Sequence, residues 1–141
     1  NLDNFIYSVA DATKYKFNKL DIALCDVPCS GTGTINKRSD LRWRISMDKI
    51  FQHAENQIDI INNVSKYINK KGVIVYSTCS IEKEENWDVI DRFLNNNSHF
   101  MVDNASNYIN EKFVDKRGAL NIIPNIHDIE GGFAVRLVNN A

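Results

Sequence analysis

Apolar runs and amphipathic stretches alternate along this chain, and their spacing predicts its elements. Residues 21–27 and 73–76 are mostly apolar, which is typical of buried strands, and the first is expected to be a central strand buried on both faces. Between them, apolar residues recur at steps of three and four, which predicts an amphipathic helix. Its stripe consists of Met47, Ile50, Phe51, Ala54, Ile58, Ile61, Val64 and Ile68. Ser46 is a natural N-cap, and residues 70–72, Lys-Lys-Gly, are a natural stop.

The second half of the chain contains shorter elements. Residues 82–94 are predicted to form a second helix, with acidic residues in its first turn and Trp87, Ile90, Phe93 and Leu94 on one face. Short apolar runs predict strands at residues 5–9, 99–102, 120–123 and 133–138. Strand, helix, strand, helix and then closely spaced strands is an α/β pattern. We expect one modest domain whose sheet is mostly parallel and finishes in an antiparallel C-terminal strand.

Two short motifs each place a cysteine just past one of the apolar strands. They are Asp26-Val27-Pro28-Cys29-Ser30-Gly31-Thr32-Gly33 and Ser77-Thr78-Cys79-Ser80. The carboxyl ends of parallel strands meet at one edge of an open α/β sheet, where such folds bind ligands. Packing alone does not require two thiols at this edge, so the arrangement suggests chemistry. Cys25 alternates with Asp26 along its strand and is expected to face the core.

Each motif residue has a chemical and a structural interpretation. A thiolate is a strong nucleophile, and Cys79 lies where a strand gives way to the predicted helix, whose dipole would lower the thiol pKa; alternatively, Cys79 is a small buried side chain. Cys29 follows Pro28, which fixes the backbone, and precedes glycines that allow a substrate to approach closely; a structural turn is the alternative. Asp26 could hydrogen-bond an amino group or pass a proton, or it could be a solvated strand end.

Charge and cysteine usage narrow the possible partners. The net charge is −1, so contact with nucleic acid must come from a local patch. A basic cluster around Trp43 resembles an RNA-contact surface, although a solvated loop would have the same composition. Its basic residues are Lys37, Arg38, Arg42 and Arg44, with Lys49 just beyond. The three cysteines lack zinc-site spacing and no apolar run could span a membrane, so we expect reduced thiols in a cytoplasmic protein with neither metal nor membrane as a partner.

Taken together, these motifs resemble the RNA cytosine-5 methyltransferases of the Sun type, the family of bacterial ribosomal RNA small subunit methyltransferase B. The two cysteine motifs resemble the family's fourth and sixth motifs. Residues 35–44 resemble the stretch after the fourth motif, and Glu84-Glu85-Asn86 resembles the segment after the second cysteine. Residues 124–137 resemble the family's final hairpin, and the similarity is weakest between residues 99 and 117.

The resemblance implies a fold, a cofactor and a chemistry. It implies a partial Rossmann-like fold that uses S-adenosylmethionine to methylate C5 of a cytosine in RNA, with small-subunit ribosomal RNA as the favoured substrate. By the same resemblance, Cys79 attacks C6 of the cytosine, Cys29 later helps to remove the C5 proton, and Asp26 hydrogen-bonds the ring. Asp11, Asp26 and Pro28 would contact the cofactor, and the basic cluster would contact RNA.

The glycine-rich cofactor motif of this family lies upstream of the first residue. We therefore interpret residues 1–141 as the C-terminal portion of a methyltransferase catalytic domain that lacks that motif. We expect this chain alone to be inactive and to bind S-adenosylmethionine weakly or not at all. Micromolar binding in calorimetry would contradict this expectation.

Three other functions fit parts of the pattern. A DNA cytosine-5 methyltransferase would use the cysteine of the Pro-Cys motif as its nucleophile and would need no second Thr-Cys motif. A thiol redox protein would pair Cys29 with Cys79, although the chain has no Cys-x-x-Cys motif. A non-catalytic RNA-binding fragment would show steeply salt-dependent binding without turnover.

Overall fold

The computed structural model describes residues 6–141, which form an α/β arrangement. The strands are β1 (Leu20–Asp26), β2 (Ile68–Thr78), β3 (Phe100–Asp103), β4 (Leu120–Ile122) and β5 (Gly132–Asn139). The helices are α1 (Leu41–Arg44), α2 (Met47–Ser65), α3 (Trp87–Asn96) and α4 (Pro124–His127). Short 3-10 turns lie at Thr32–Thr34, Ala105–Asn107 and Glu111–Phe113.

The strands form one sheet in the order β1-β2-β5-β3, and β4 pairs with β5 on the same side as β3. Strands β1 and β2 are parallel, whereas β5 is antiparallel to β2, β3 and β4. Four strands therefore run in one direction and the C-terminal strand runs in the other. This confirms the expected sheet, with β5 in its interior.

Helices α2 and α3 contact each other and bury their apolar faces with the inner side of the sheet in a common core. Ile61, Ile90 and Phe93 are fully buried there. Ser46 caps α2 as predicted, because its hydroxyl accepts a hydrogen bond from the Lys49 N–H. The apolar face of α3 is thus confirmed, and so is most of the stripe of α2, although Met47 and Phe51 are each 51% exposed.

The predicted end of the long helix is wrong. Helix α2 ends at Ser65, and Ile68 already belongs to β2. The Lys-Lys-Gly segment lies inside β2 at a register shift, because Leu20 pairs with Ile68 whereas Ile22 pairs with Val73. Lys71 has a positive φ of 63° at this irregularity. Lysines and glycine favour a bulge as readily as a helix stop, and the pairing with β1 decides between them.

The prediction that residues 21–27 form a central strand buried on both faces is also wrong for the part of the chain that the structure describes. Within residues 6–141, β1 pairs with β2 alone. Ile22 and Leu24 are 71% and 70% exposed on the outer face, whereas Cys25 is buried. Residues 6–9, predicted as a strand, are exposed and outside regular structure, and Phe5 lies outside the described residues. An apolar run becomes a buried strand only where neighbours cover it.

The second helix begins later than predicted. Residues 82–86 form a turn, and α3 starts at Trp87. The side chains of Glu85 and Asn86 are buried under the cysteine loops. The predicted edge strand at residues 99–102 and the two later strands are confirmed, each with its ends shifted by no more than a residue or two. No helix within residues 6–141 is long and apolar enough to cross a membrane.

Candidate active site

The two cysteine motifs meet at one edge of the sheet. Cys79 directly follows β2 and Cys29 lies shortly after β1, and these strands are parallel neighbours. The Sγ atoms of Cys29 and Cys79 are 3.1 Å apart, and the backbone N–H of Cys79 donates to the Cys29 sulfur at 3.3 Å. The predicted convergence of the two thiols is confirmed.

The two thiols have different surroundings. Cys79 is exposed, whereas Cys29 is half-buried. Burial, followed by the hydrogen bond with Cys79, raises the pKa of the Cys29 thiol to about 12. Cys29 therefore holds its proton at neutral pH, and Cys79 is the thiol that a substrate can reach. Cys25 is a core residue, as predicted, and burial raises its thiol pKa to about 12.

The expectation that a helix dipole activates Cys79 is wrong. Helix α3 starts at Trp87, eight residues after Cys79, whereas activation by the dipole requires a helix that starts next to the cysteine. The dipole of a helix acts within its first turn, so it does not reach the Cys79 sulfur. What the structure gives Cys79 is exposure and a sulfur contact with Cys29.

The residues predicted to contact a cofactor line one cavity. Asp11, Asp26 and Pro28 stand around a space of about 550 Å³ beside β1. This volume is within the range of small-molecule sites. The Asp26 carboxylate accepts a hydrogen bond from the Ser77 hydroxyl at 2.9 Å and is otherwise exposed. Asp11 accepts hydrogen bonds from the Thr13 hydroxyl and N–H, which lower the pKa of its carboxyl.

A second cavity of about 200 Å³ opens beside Cys29, and basic side chains surround it. These side chains are Arg38, Arg44, Lys49 and His53. Lys49 and His53 are one turn apart on α2, and the Lys49 ammonium donates to the backbone carbonyl of Arg44 at 2.8 Å. Sequence reasoning did not assign His53 to a site, although a basic pair at a spacing of four next to the basic cluster is a signal for it.

Only some of the basic residues predicted to bind RNA lie at the cavity beside Cys29. Arg38 and Arg44 line the cavity at Cys29, whereas its lining includes neither Lys37 nor Arg42. Lys37 forms an ion pair with Glu130 at 2.7 Å. The Arg44 guanidinium also lies 3.3 Å from Asp40. Trp43 is 90% exposed, so its ring is available to a stacking partner.

The glycines of the first motif serve the packing of loops. Gly31 has a φ of +74°, a left-handed conformation that favours glycine. A Cβ on Gly33 would collide with the Gly131 carbonyl and lie 2.8 Å from the Cys79 carbonyl oxygen. The Gly33 N–H donates to that same oxygen at 3.0 Å. Gly33 is therefore needed for close approach of protein backbones, and the expected close approach of a substrate is not its role.

Buried polar side chains lie directly beneath the two cysteines, and sequence reasoning did not place them in the site. Gln57, Glu85 and Asn86 are at most 4% exposed, and they hydrogen-bond to the residues that flank Cys29 and Cys79. Gln57 carried a signal in the sequence, since it is a polar residue inside the apolar stripe of α2. The site thus consists of two adjacent thiols, two cavities lined by Pro28 and by Cys29, and a buried polar support.

Known proteins are similar to this chain in sequence. A family described as 16S rRNA methyltransferase RsmB/F matches residues 1–138. Ribosomal RNA small subunit methyltransferase F of Vibrio vulnificus is 32% identical over 83% of this chain and 25% of its own length. Probable ribosomal RNA small subunit methyltransferase B of Bacillus subtilis is 32% identical over 84% of this chain and 27% of its own length.

A solved structure is similar to this chain in fold. The methyltransferase homolog protein from Pyrococcus horikoshii superposes with a TM-score of 0.69 and 27% identity, over 86% of this chain and 40% of that one. The fold is therefore that of a Rossmann-like methyltransferase, and the chain spans about a quarter of the length of the curated relatives. Both the family match and the fold match lead to one conclusion: this chain belongs to the RsmB/F family of 16S rRNA methyltransferases.

Proposed function

We propose that the protein carrying this chain transfers a methyl group from S-adenosylmethionine to C5 of a cytosine in small-subunit ribosomal RNA. The observation that carries the proposal is the pair of sulfurs 3.1 Å apart, one exposed and one half-buried. A cytosine that reaches the exposed sulfur lies next to the second one. The membership of the family supports methylation of ribosomal RNA, and the paired thiols support cytosine C5 as the acceptor.

Cys79 acts as the nucleophile. Its thiolate forms a bond to C6 of the cytosine, and the electron pair of the C5–C6 double bond moves to C5, which becomes nucleophilic. S-adenosylmethionine, when bound, would supply the methyl group to C5 and leave as S-adenosylhomocysteine. The C5 proton then leaves to a base, the double bond re-forms and the C6–sulfur bond breaks, which frees Cys79. Two cysteines are needed because the first is bonded to the ring when the proton must leave.

Cys29 is suited to the later proton transfer. Before the reaction, burial and the hydrogen bond with Cys79 hold its pKa near 12. Once Cys79 is bonded to the ring, its hydrogen bond and its charge no longer raise that pKa, so Cys29 becomes easier to ionise than in the free enzyme. An exposed Cys79 and a half-buried Cys29 support an order in which the first thiol attacks and the second acts afterwards.

The cofactor and the RNA would occupy two different cavities, one lined by Pro28 and the other by Cys29. Pro28 lines the 550 Å³ cavity with Asp11 and Asp26, which would hold S-adenosylmethionine. Cys29 lines the basic cavity, where Arg38 and Lys49 would bind an RNA phosphate. The expectation that the 141-residue chain alone binds the cofactor weakly stays a prediction.

Covalent trapping tests the proposal. We expect the Cys29→Ala variant of the full-length protein to accumulate a covalent adduct with ribosomal RNA, because the attack occurs and the release fails. We expect Cys79→Ala to form no adduct and no 5-methylcytosine. Adducts are counted on denaturing gels, and the methylated nucleoside is identified by mass spectrometry after digestion. Cys25→Ala, a change in the core, is the cysteine control.

Two outcomes would contradict the proposal. An adduct that accumulates in Cys79→Ala and is absent in Cys29→Ala would assign the attack to the Pro-Cys motif, as in a DNA cytosine-5 methyltransferase. Salt-dependent RNA binding by the wild-type protein, without any methylated nucleoside, would favour a non-catalytic RNA-binding role.

A thiol redox function is a second candidate, and the contact between the Cys29 and Cys79 sulfurs favours it. In that case a hydroperoxide would accept two electrons and two protons from the thiols; the thiols become a disulfide, and the hydroperoxide becomes an alcohol and water. A redox titration distinguishes the two functions. A disulfide that forms reversibly at the potential of cytosolic thiol pools, in a protein without methyl transfer, supports the redox role.

A further inference from the structure

A turn that the proposed chemistry does not use lies beneath both cysteines. It comprises residues 82–86, which we call the Glu85–Asn86 turn. Backbone hydrogen bonds close it, from the Glu85 N–H to the Glu82 carbonyl at 3.2 Å and from the Asn86 N–H to the Lys83 carbonyl at 3.1 Å. Glu85 is 0% and Asn86 is 4% exposed. Such burial of polar side chains is costly unless they are hydrogen-bonded, so their partners reveal what they do.

Glu85 holds the loop that carries Cys29. Its Oε1 atom accepts a hydrogen bond from the Ser30 N–H at 2.8 Å, and its Oε2 atom accepts one from the Ser30 hydroxyl. Oε1 also accepts from the amide of Gln57 at 3.1 Å, and that amide donates to the Pro28 carbonyl at 2.9 Å. Backbone groups on both sides of Cys29 are thus held, one by Glu85 directly and one through Gln57.

Asn86 holds the residues that flank Cys79 in the same way. Its amide donates to the Ser80 carbonyl at 2.9 Å, and its Oδ1 atom accepts from the Thr78 hydroxyl at 2.7 Å. The Thr78 Oγ1 atom also accepts from the Ser80 N–H at 3.3 Å. The segment on either side of Cys79 is therefore tied to one buried side chain.

The turn is itself anchored to the sheet. The Tyr76 hydroxyl donates to the Glu85 carbonyl at 2.6 Å and lies 3.0 Å from Oε1 of Gln57. Burial, followed by the nearby charge of Glu85, raises the pKa of Tyr76, so its hydroxyl remains a donor at neutral pH. Because Tyr76 belongs to β2, the strand, the turn and the two loops form one connected unit.

We propose that Glu85 and Asn86 are paired positioning residues, Glu85 for the Cys29 thiol and Asn86 for the Cys79 thiol. Adjacent residues of one turn then set the separation of the two sulfurs. The effect on catalysis rests on the proposed function: Glu85 serves the release step through Cys29, and Asn86 serves the attack through Cys79. Neither side chain contacts the substrate, since both are buried under the loops.

The isosteric variants Glu85→Gln and Asn86→Asp test this assignment in the full-length protein. A glutamine at position 85 turns an N–H₂ group toward a donor from Ser30 or Gln57, and an aspartate at position 86 turns an oxygen toward the Ser80 carbonyl. Glu84→Gln and Asn95→Asp are matched controls, because they make the same changes at side chains outside this network. Glu84 precedes Glu85, and Asn95 lies in α3. Ser30→Ala and Thr78→Val are milder variants that remove one hydroxyl donor on each side.

The first readout needs neither RNA nor cofactor. Iodoacetamide labelling, followed by peptide mass spectrometry, gives separate rates for Cys29 and Cys79. We expect Glu85→Gln to raise the Cys29 rate about tenfold, the size expected for loss of one buried hydrogen bond, with the Cys79 rate changed less than about twofold. We expect Asn86→Asp to change the Cys79 rate instead. Ser30→Ala and Thr78→Val should shift the same rates in the same directions by less.

The second readout is the covalent RNA adduct. We expect Glu85→Gln to accumulate adduct, as Cys29→Ala does, and Asn86→Asp to form adduct more slowly. Equal changes in both thiol rates in each variant, or wild-type rates in all of them, would overturn the positioning assignment. A Cys29→Ala variant that forms no adduct, with thiol rates that change selectively in Glu85→Gln and Asn86→Asp, would overturn the proposed function and leave the positioning assignment supported.

Discussion

At the scale of single residues, the three cysteines show how surroundings divide one side-chain type into three roles. Cys25 is buried in the core and Cys29 is half-buried, and burial raises the pKa of each thiol to about 12. Cys79 is exposed beside Cys29. The sequence places all three near strand ends, yet only their burial distinguishes a structural thiol, a protonated thiol and an accessible one.

The raised pKa values predict a loss of stability in alkaline solution. The unfolded chain releases its thiol protons near pH 9, whereas the folded chain keeps those of Cys25 and Cys29 toward pH 12. Unfolding therefore releases protons in this range, and the free energy of unfolding should fall as pH rises above about 9. Urea unfolding under reducing conditions at pH 8 and pH 9.8 measures the change.

The Cys29→Ala variant is the control for this prediction. It removes one of the two thiols, so its stability should decline less steeply between the same two pH values. If the free energy of unfolding of the variant declines as steeply as that of the wild-type protein, the Cys29 thiol does not contribute to the loss of stability.

At the scale of elements, the site depends on loops that touch one another through backbone atoms. Gly33 lies between the carbonyl of Cys79 and the chain at Gly131, whose N–H donates to the Gly33 carbonyl at 2.9 Å. The loop after β1, the loop after β2 and the segment before β5 are joined there. A side chain at this point must displace backbone, which is costly in a packed structure.

Gly33→Ala should therefore destabilise the fold by about 1–3 kcal/mol and change the labelling rate of Cys79. Gly132→Ala is the matched control, because the atom nearest to a Cβ there is the Thr78 carbonyl oxygen, at an ordinary 3.4 Å. It should change the free energy of unfolding by no more than about 0.5 kcal/mol. Urea denaturation measures both variants, and equal effects would contradict the proposed role of Gly33.

At the scale of the whole molecule, charge is uneven although the net charge is only −1. Arg38, Arg44, Lys49 and His53 gather at the cavity beside Cys29. The cavity with the two predicted cofactor carboxylates is a separate one, which Pro28 lines. These side chains favour a polyanion locally, at the cavity beside Cys29.

Salt-dependent RNA binding tests this local charge. Each phosphate contact contributes about one unit to the slope of the logarithm of affinity against the logarithm of salt concentration. Arg38→Ala and Lys49→Ala in the full-length protein should each lower the slope by about one unit in filter-binding measurements. Lys116→Ala, outside this cavity, should leave it unchanged. An equal loss in all three variants would contradict a phosphate site beside Cys29.

The sequence predicted the elements and motifs whose signals are local. Alternating and helical spacing located the helices and most strands, and the position of each cysteine after an apolar strand predicted that the thiols converge. Local signals predicted the wrong element where contacts with distant parts of the chain decide the structure. Acidic residues suit a helix start, yet Glu85 binds the Ser30 backbone instead. Lys71 suits a helix end, yet it lies in a bulge beside β1.

The sequence by itself determined the order of strands and helices, the family and the pair of thiols at one sheet edge, because apolar spacing and short motifs encode these within a few residues. Only the tertiary structure decided which thiol is exposed, which basic residues face it and which buried side chains hold its loop. Those properties depend on groups up to 55 positions apart, such as Ser30 and Glu85. Burial and hydrogen bonding arise only when such groups meet, and no local pattern contains them.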